Sequence, residues 1–168
     1  MSYDDHYHLA DGVIDHLDTV MAGISDPFIQ SRYVGFVAVT AVTVYELAIK
    51  DIFCDFGEKT HRVLGLFTRS YFDRINGKIK IANIKEDYLK KFGDNYVAEF
   101  KAKLDVVEKQ WLVTQKTSVS SSYNNIIEWR NEFAHGGKVP IYVTYSDVTK
   151  SYQLGKEVIK SLAEVMGV

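Results

Sequence analysis

The sequence reads as an all-α chain, an up-and-down helical bundle with additional short helices, and three observations carry that reading. Apolar residues recur at three- and four-residue spacings in one segment after another. Proline, glycine and Ser/Asn/Asp clusters stand where such segments would start and stop. The two stretches that resemble strands, Val34–Val44 and Lys78–Ile81, both have contexts that argue otherwise. The 168 residues, 46% of them hydrophobic, are enough for one domain spanning 1–168 with a full core, and no composition shift marks a second.

Leu9, Val13, Leu17, Val20, Met21 and Ile24 give the first helix an apolar face, with Asp11, Asp15 and Asp18 around it, and Ser25-Asp26-Pro27 closes it. Pro27 opens a long helix to about Phe56, where Gly57 is expected to stop it. From Tyr33 to Ile49 its only formal charge is Glu46, so this helix should be buried on most sides. The β-branched run Val34–Val44 continues without a turn signal into Tyr45-Glu46-Leu47-Ala48-Ile49, which favours helix over strand, and charge follows too soon for a membrane span.

A shorter helix from Thr60 to about Phe72 should turn Val63, Leu64, Leu66 and Phe67 inward, with Arg62, Arg69 and Arg74 nearby; Asn76-Gly77 then marks a turn. Lys78–Ile81 is short and isolated and reads as an extended connector, with Asn83 capping a helix from Ile84 to Phe92. Lys78, Lys80, Lys85, Lys90 and Lys91 form the densest basic region, a solvated face or alternatively a phosphate contact. Gly93-Asp94 starts a helix carrying Tyr96, Val97, Phe100, Leu104, Val107 and Trp111 to near Gln115. A Ser/Thr-rich loop from Lys116 to Ser122 leads into a helix beginning at Tyr123. After Pro140 and an extended Ile141-Tyr142-Val143, Thr144-Tyr145-Ser146-Asp147 fits a capping box that opens a last helix through Met166.

Within this frame the stretch Trp129-Arg130-Asn131-Glu132-Phe133-Ala134-His135-Gly136-Gly137 stands out. A helical step places Tyr123, Ile126, Ile127, Trp129, Phe133 and Ala134 on one apolar arc with Arg130 in its middle. A guanidinium there costs several kcal/mol unless it finds an acid or other acceptors. Glu46 is the mirror case on the long helix, and the simplest reconciliation lets the two meet, Glu46 then orienting the arginine from behind; the alternative leaves Glu46 at a solvated edge. Asn131 and His135, four apart, share the neighbouring face, with Gly136 available for the left-handed cap. The plain alternative for His135 is capping chemistry, worth about 0.3–1 kcal/mol.

Arg130, a polar Asn131, three further residues and then His135 resemble the Arg-x4-His motif of the HEPN superfamily of helical ribonucleases, with the RiboL-PSP and MAE-like branches both open. The resemblance implies a HEPN-like bundle over 1–168 and a homodimer in which two motif helices build one composite site that cuts RNA without a metal. It implies His135 as the proton-transfer group, Arg130 as the phosphate clamp and Asn131 as the group positioning substrate or water. It also implies a toxin or phage-defence role with a neutralising partner protein. In the branch silenced by a nucleotidyltransferase, a tyrosine follows the histidine by two places; here that place is Gly137, which puts that mode in doubt.

The remaining residues narrow the choice. No Walker loop, zinc-spaced Cys/His set or Gly-x-Ser-x-Gly elbow is present, and no cofactor or metal is expected. His6 and His8 beside Asp4 and Asp5 make a weak metal set at a terminus. A net charge of −2 gives no general nucleic-acid coat, so RNA must meet a local patch or a groove between subunits. Lone Cys54 among apolar neighbours suggests a buried thiol, and the acidic N-terminus without an apolar segment suggests a cytoplasmic protein. RNA transesterification needs a base, an acid and positive donors, which two copies of His135 and Arg130 would supply. A HEPN-like dimerisation or partner-binding module, or a structural bundle whose motif is coincidence, are the competing readings.

Overall fold

The computed structural model describes residues 2–168. A 3₁₀ turn at Tyr3–His6 leads into α1 (Tyr7–Met21), followed by α2 (Pro27–Thr60) and α3 (Arg62–Phe72). The short α4 (Ile81–Asn83) runs on through a π turn (Ile84–Tyr88) and a 3₁₀ turn (Leu89–Lys91). Then come α5 (Asp94–Gln115), α6 (Val119–Gly136) and α7 (Tyr145–Met166). The architecture is all-α, with no strand among the described residues. Among the described residues no helix is long and apolar enough to cross a membrane.

The long helix organises the rest. The Asp26 side chain accepts from the Phe28 N–H at 2.8 Å, and Pro27 occupies the first turn, where its missing N–H costs nothing. From there α2 packs against α1, α3, α6 and α7, while α7 also covers α5 and α6. At the centre Tyr45 stacks between Tyr123 of α6 at 5.3 Å and Tyr152 of α7 at 5.8 Å. Its hydroxyl donates to the Tyr152 carbonyl, which satisfies a polar atom inside an apolar core. Gly155 leaves room for that hydroxyl; a side chain there would overlap it. Cys54 is buried, and Thr144 and Asp147 form the capping box that opens α7.

Several boundaries and faces differ from expectation. The first helix docks through Ala10, Ile14 and Leu17 and leaves Leu9 58% exposed, because the small Ala10 lets the helices approach along that stripe. Gly57 does not end α2; the helix runs to Thr60, and the missing side chain admits Thr68 of α3. The contact inverts α3. Its buried residues are Gly65, Thr68 and Phe72, while Val63, Leu66 and Phe67 are 60–65% exposed. Asn83 lies inside a helical turn and donates to Asp87 at 2.8 Å, with Lys80 rather than Asn83 preceding the first turn. Ser118 caps α6 by accepting from the Ser121 N–H, so that helix starts four residues before Tyr123. Residues 141–142 form a turn closed by Val143 N–H donating to the Pro140 carbonyl at 3.0 Å, rather than an extended segment.

Candidate functional site

The seam between α2 and α6 holds the two charges that stand on apolar arcs. Arg130 Nη2 donates to Glu46 Oε1 at 2.7 Å, and the two side chains keep 21% and 24% of their accessible surface. Helix geometry brings them together: Tyr123, Ile126, Ile127 and Trp129 bury the inner side of α6, and Phe133 lies over Gly35, where a side chain on α2 would collide with its ring. Arg130 is thereby aimed along the seam at Glu46, about three helical turns from Gly35.

A third element completes the pocket around the guanidinium. Asn76 and Gly77 both have positive φ, 37° and 77°, and Lys78 N–H donates to the Ile75 carbonyl at 3.1 Å. Two left-handed central residues make a tight turn that Asn-Gly favours. Buried Ile75 and Ile79 hold its two ends. The Tyr123 hydroxyl donates to the Ile79 carbonyl at 2.7 Å, and the Tyr88 hydroxyl to the Lys78 carbonyl at 2.7 Å. So α6, which carries Arg130, also anchors the turn laid over it. A Cβ at Gly77 would stand 2.5 Å from Arg130 Nη2, and the Gly77 backbone N–H lies close enough to the Glu46 carboxylate to favour its charged form. Burial pushes the Glu46 carboxyl above its ordinary value; Arg130 and that N–H oppose the shift without cancelling it.

Beyond Arg130 the helix emerges into solvent. Asn131 is half-buried and His135 is exposed, and among the described residues neither side chain has a hydrogen-bond partner. Ala134 is exposed, not part of the buried arc, because α6 outruns its cover in its last turn. The left-handed cap falls on Gly137, with φ 68°, and Gly136 is still helical; the Gly137 N–H donates to the Phe133 carbonyl at 2.8 Å. Arg32 of α2 donates to the Gly137 carbonyl and lies over the Phe28 ring at 4.7 Å. It adds a cation two residues from His135. Nothing in the local pattern around Arg32 marks it, since its role depends on a contact 105 residues away in sequence.

The other sequence candidates go elsewhere. His6 Nε2 meets Asp51 at 2.7 Å, tying the N-terminal turn to α2, and among the described residues no three His, Cys, Asp or Glu side chains converge as a metal would need. Of the basic region, Lys80 pairs with Glu128 of α6 at 2.9 Å and Lys90 with Glu86 at 3.7 Å, so part of that charge is spent on internal contacts.

The paired arginine and the exposed histidine lie five residues apart at the open end of one helix. A family model described as RiboL-PSP-HEPN matches residues 4–167, which takes in every helix from α1 to α7. No curated protein and no solved structure matches the chain significantly. On a family match that spans nearly its whole length, the chain belongs to the RiboL-PSP-HEPN family.

Proposed function

We propose that the chain is a metal-independent endoribonuclease of HEPN type whose site is composed across a homodimer. The observation that supports this best is the division of labour along α6: Arg130 is held by Glu46 and the Gly77 turn, while His135 is exposed and unpartnered. A guanidinium has five N–H donors, and the bond to Glu46 engages one of them, so the others remain for phosphate oxygens. Asn131, on the same face as His135, is placed to position the substrate.

In this reading a 2′-hydroxyl attacks the adjacent phosphorus and gives its proton to the His135 imidazole acting as base. The P–O5′ bond breaks, and the leaving oxygen takes a proton from the second copy of His135 acting as acid. Arg130 stabilises the charge that develops on the phosphoryl oxygens. The products are a 2′,3′-cyclic phosphate and a 5′-hydroxyl. One motif histidine per chain is the reason for two copies, since acid and base are both needed. Phe36 and Leu47, exposed on α2, offer apolar area for the pairing.

A toxin or defence role in the cytoplasm, held silent by a neutralising protein, belongs to the same reading. Gly137 gives nucleotidyltransferase silencing no tyrosine to modify. The test is purified protein with RNA in excess chelator. Expected are cyclic-phosphate ends, no cutting at a 2′-deoxy position, and a dimeric mass by light scattering. Metal dependence or equal cutting of DNA would overturn the mechanism, and an active strict monomer would overturn the composite site. Absence of any cutting would leave a HEPN-like dimerisation or partner-binding module.

A further inference from the structure

The inverted helix α3 has no place in the chemistry above, yet it joins the site directly. Its outward side carries Leu66, Phe67 and Tyr71, which line a shallow depression with Arg69 and Arg74 at its edge. The rings of Phe67 and Tyr71 stack at 6.0 Å and 16°. Tyr71 also meets buried Phe72 edge-on at 5.0 Å, and Phe72 stacks on Phe53 of α2 at 4.4 Å. The exposed rings are thus the outer end of an aromatic column rooted in the core, held in place without a partner.

The surrounding charge is one-sided. Lys91 Nζ lies 5.2 Å from the Tyr71 ring centroid. The two acids at the rim are both engaged, Glu58 with Arg69 and Asp73 with Lys50. Arg62 and Arg74 have no ion-pair partner among the described residues. The excess of positive charge over the two engaged acids favours an anionic occupant over a second copy of this face. Two exposed, nearly parallel rings with guanidinium and ammonium groups at their edge suit a nucleobase stacked on a ring and phosphates on the cations.

The position along the chain links this face to the motif. Tyr71 stands six residues before Gly77, whose turn covers Arg130, so the two lie within about 21 Å even for a fully extended connector. Lys50 bridges the same interval from the other side: it pairs with Asp73 and stands one helical turn beyond Glu46.

We infer that α3 is a binding platform for single-stranded RNA, in which Phe67 and Tyr71 stack a base of the strand and Arg74 and Lys91 hold its phosphates, outside the Arg130/His135 site. The inference rests on the ribonuclease reading for its purpose but not for its measurement. The platform makes the enzyme prefer strands long enough to span from Arg130 to α3, and it contributes binding without entering the chemical step.

The test has two readouts. In the His135→Ala chain, fluorescence anisotropy with labelled oligouridine should show about tenfold weaker binding when Phe67 is also changed to Ala, the size of one lost base stack. Arg74→Glu should weaken it as well, with a shallower salt dependence. In the active chain, the preference for a long single strand over a fragment too short to reach α3 should shrink by about the same factor in Phe67→Ala. Circular dichroism on each variant verifies the fold, and Arg74→Glu, which changes a surface charge alone, keeps the test decisive if Phe67→Ala is poorly folded. Unchanged oligouridine binding in both variants would overturn the platform, whether or not the protein cuts RNA. Conversion of the dimer to monomer by Phe67→Ala would assign the face to a second copy instead. RNA binding that depends on Phe67 without any cleavage would keep the platform and sink the nuclease reading.

Discussion

The α2–α6 seam and the outer face of α3 are opposite departures from the same rule. In the seam, charge lies among apolar side chains; on α3, apolar side chains lie in solvent among charges. The seam is satisfied from within, since Arg130 and Glu46 have each other, the Gly77 turn lies against the guanidinium, and that turn is tied to α6 through Tyr123. Nothing among the described residues covers the outer face of α3 in the same way. Its small residues, Gly65 and Thr68, do the packing against Glu58 and Gly57 of α2, and Val63, Leu66 and Phe67 are left outside. A compensated exception belongs to the working parts of the chain, whereas an uncompensated one points to something outside it.

The largest expected effect lies at the open end of the seam. His135→Ala should slow the chemical step by about 10²- to 10⁴-fold, the range of general acid–base catalysis, with little change in thermal stability, because the side chain is exposed. Single-turnover cleavage beside a melting curve checks both halves. A large stability loss with modest loss of rate would place His135 on the structural side of the comparison.

Next is the pair itself. A fully buried pair would lose about 3–5 kcal/mol on truncation of one partner. Because both side chains keep a fifth to a quarter of their surface, Glu46→Ala should cost about 1–3 kcal/mol in chemical denaturation. The titration has a definite sign. The folded carboxyl is raised above its unfolded value, so the folded state binds its proton more tightly, and stability from this group is present in acid and lost as pH rises through the raised value. Relative to Glu46→Gln, which does not titrate, the wild type should therefore lose stability over that interval. A difference that grows in the opposite direction would mean that Arg130 outweighs burial.

Gly77→Ala should cost about 1–2 kcal/mol for a left-handed alanine and impair activity beyond that, because its Cβ intrudes on the guanidinium. Equal losses of stability and activity would reduce the turn to a structural role. The smallest effect belongs to α3: Leu66→Ser should stay within about 0.5 kcal/mol of wild type in denaturant midpoint, as exposed substitutions do. A loss well above that would show that the face is covered in the folded protein and would erase the contrast with the seam.

The motif was legible because its logic is local. Arg130, Asn131 and His135 lie within six residues of one helix, and an arginine among aromatic and aliphatic neighbours signals an unusual requirement at that point. The turn at Asn76-Gly77 was legible too, since its dipeptide selects the left-handed conformation by itself. That the turn would lie on Arg130, or that Arg32 would reach the end of α6, was not, because both depend on contacts separated by tens of residues.

By itself the sequence determined the all-α class, the start of α2 at Pro27, the capping box of α7, the placing of the motif at the end of a helix and the membership of the HEPN superfamily. Each rests on short-range periodicity, capping or a compact motif. Only the tertiary structure decided which side of α3 would be buried. Hydrophobicity favoured Val63, Leu66 and Phe67 as the inner face, but helices that cross closely need small residues at the contact, and Gly57, Gly65 and Thr68 supplied it. Tertiary packing likewise turned two isolated charges, Glu46 and Arg130, into one ion pair, because a seam between helices is defined by both faces at once and neither stretch of sequence contains the other.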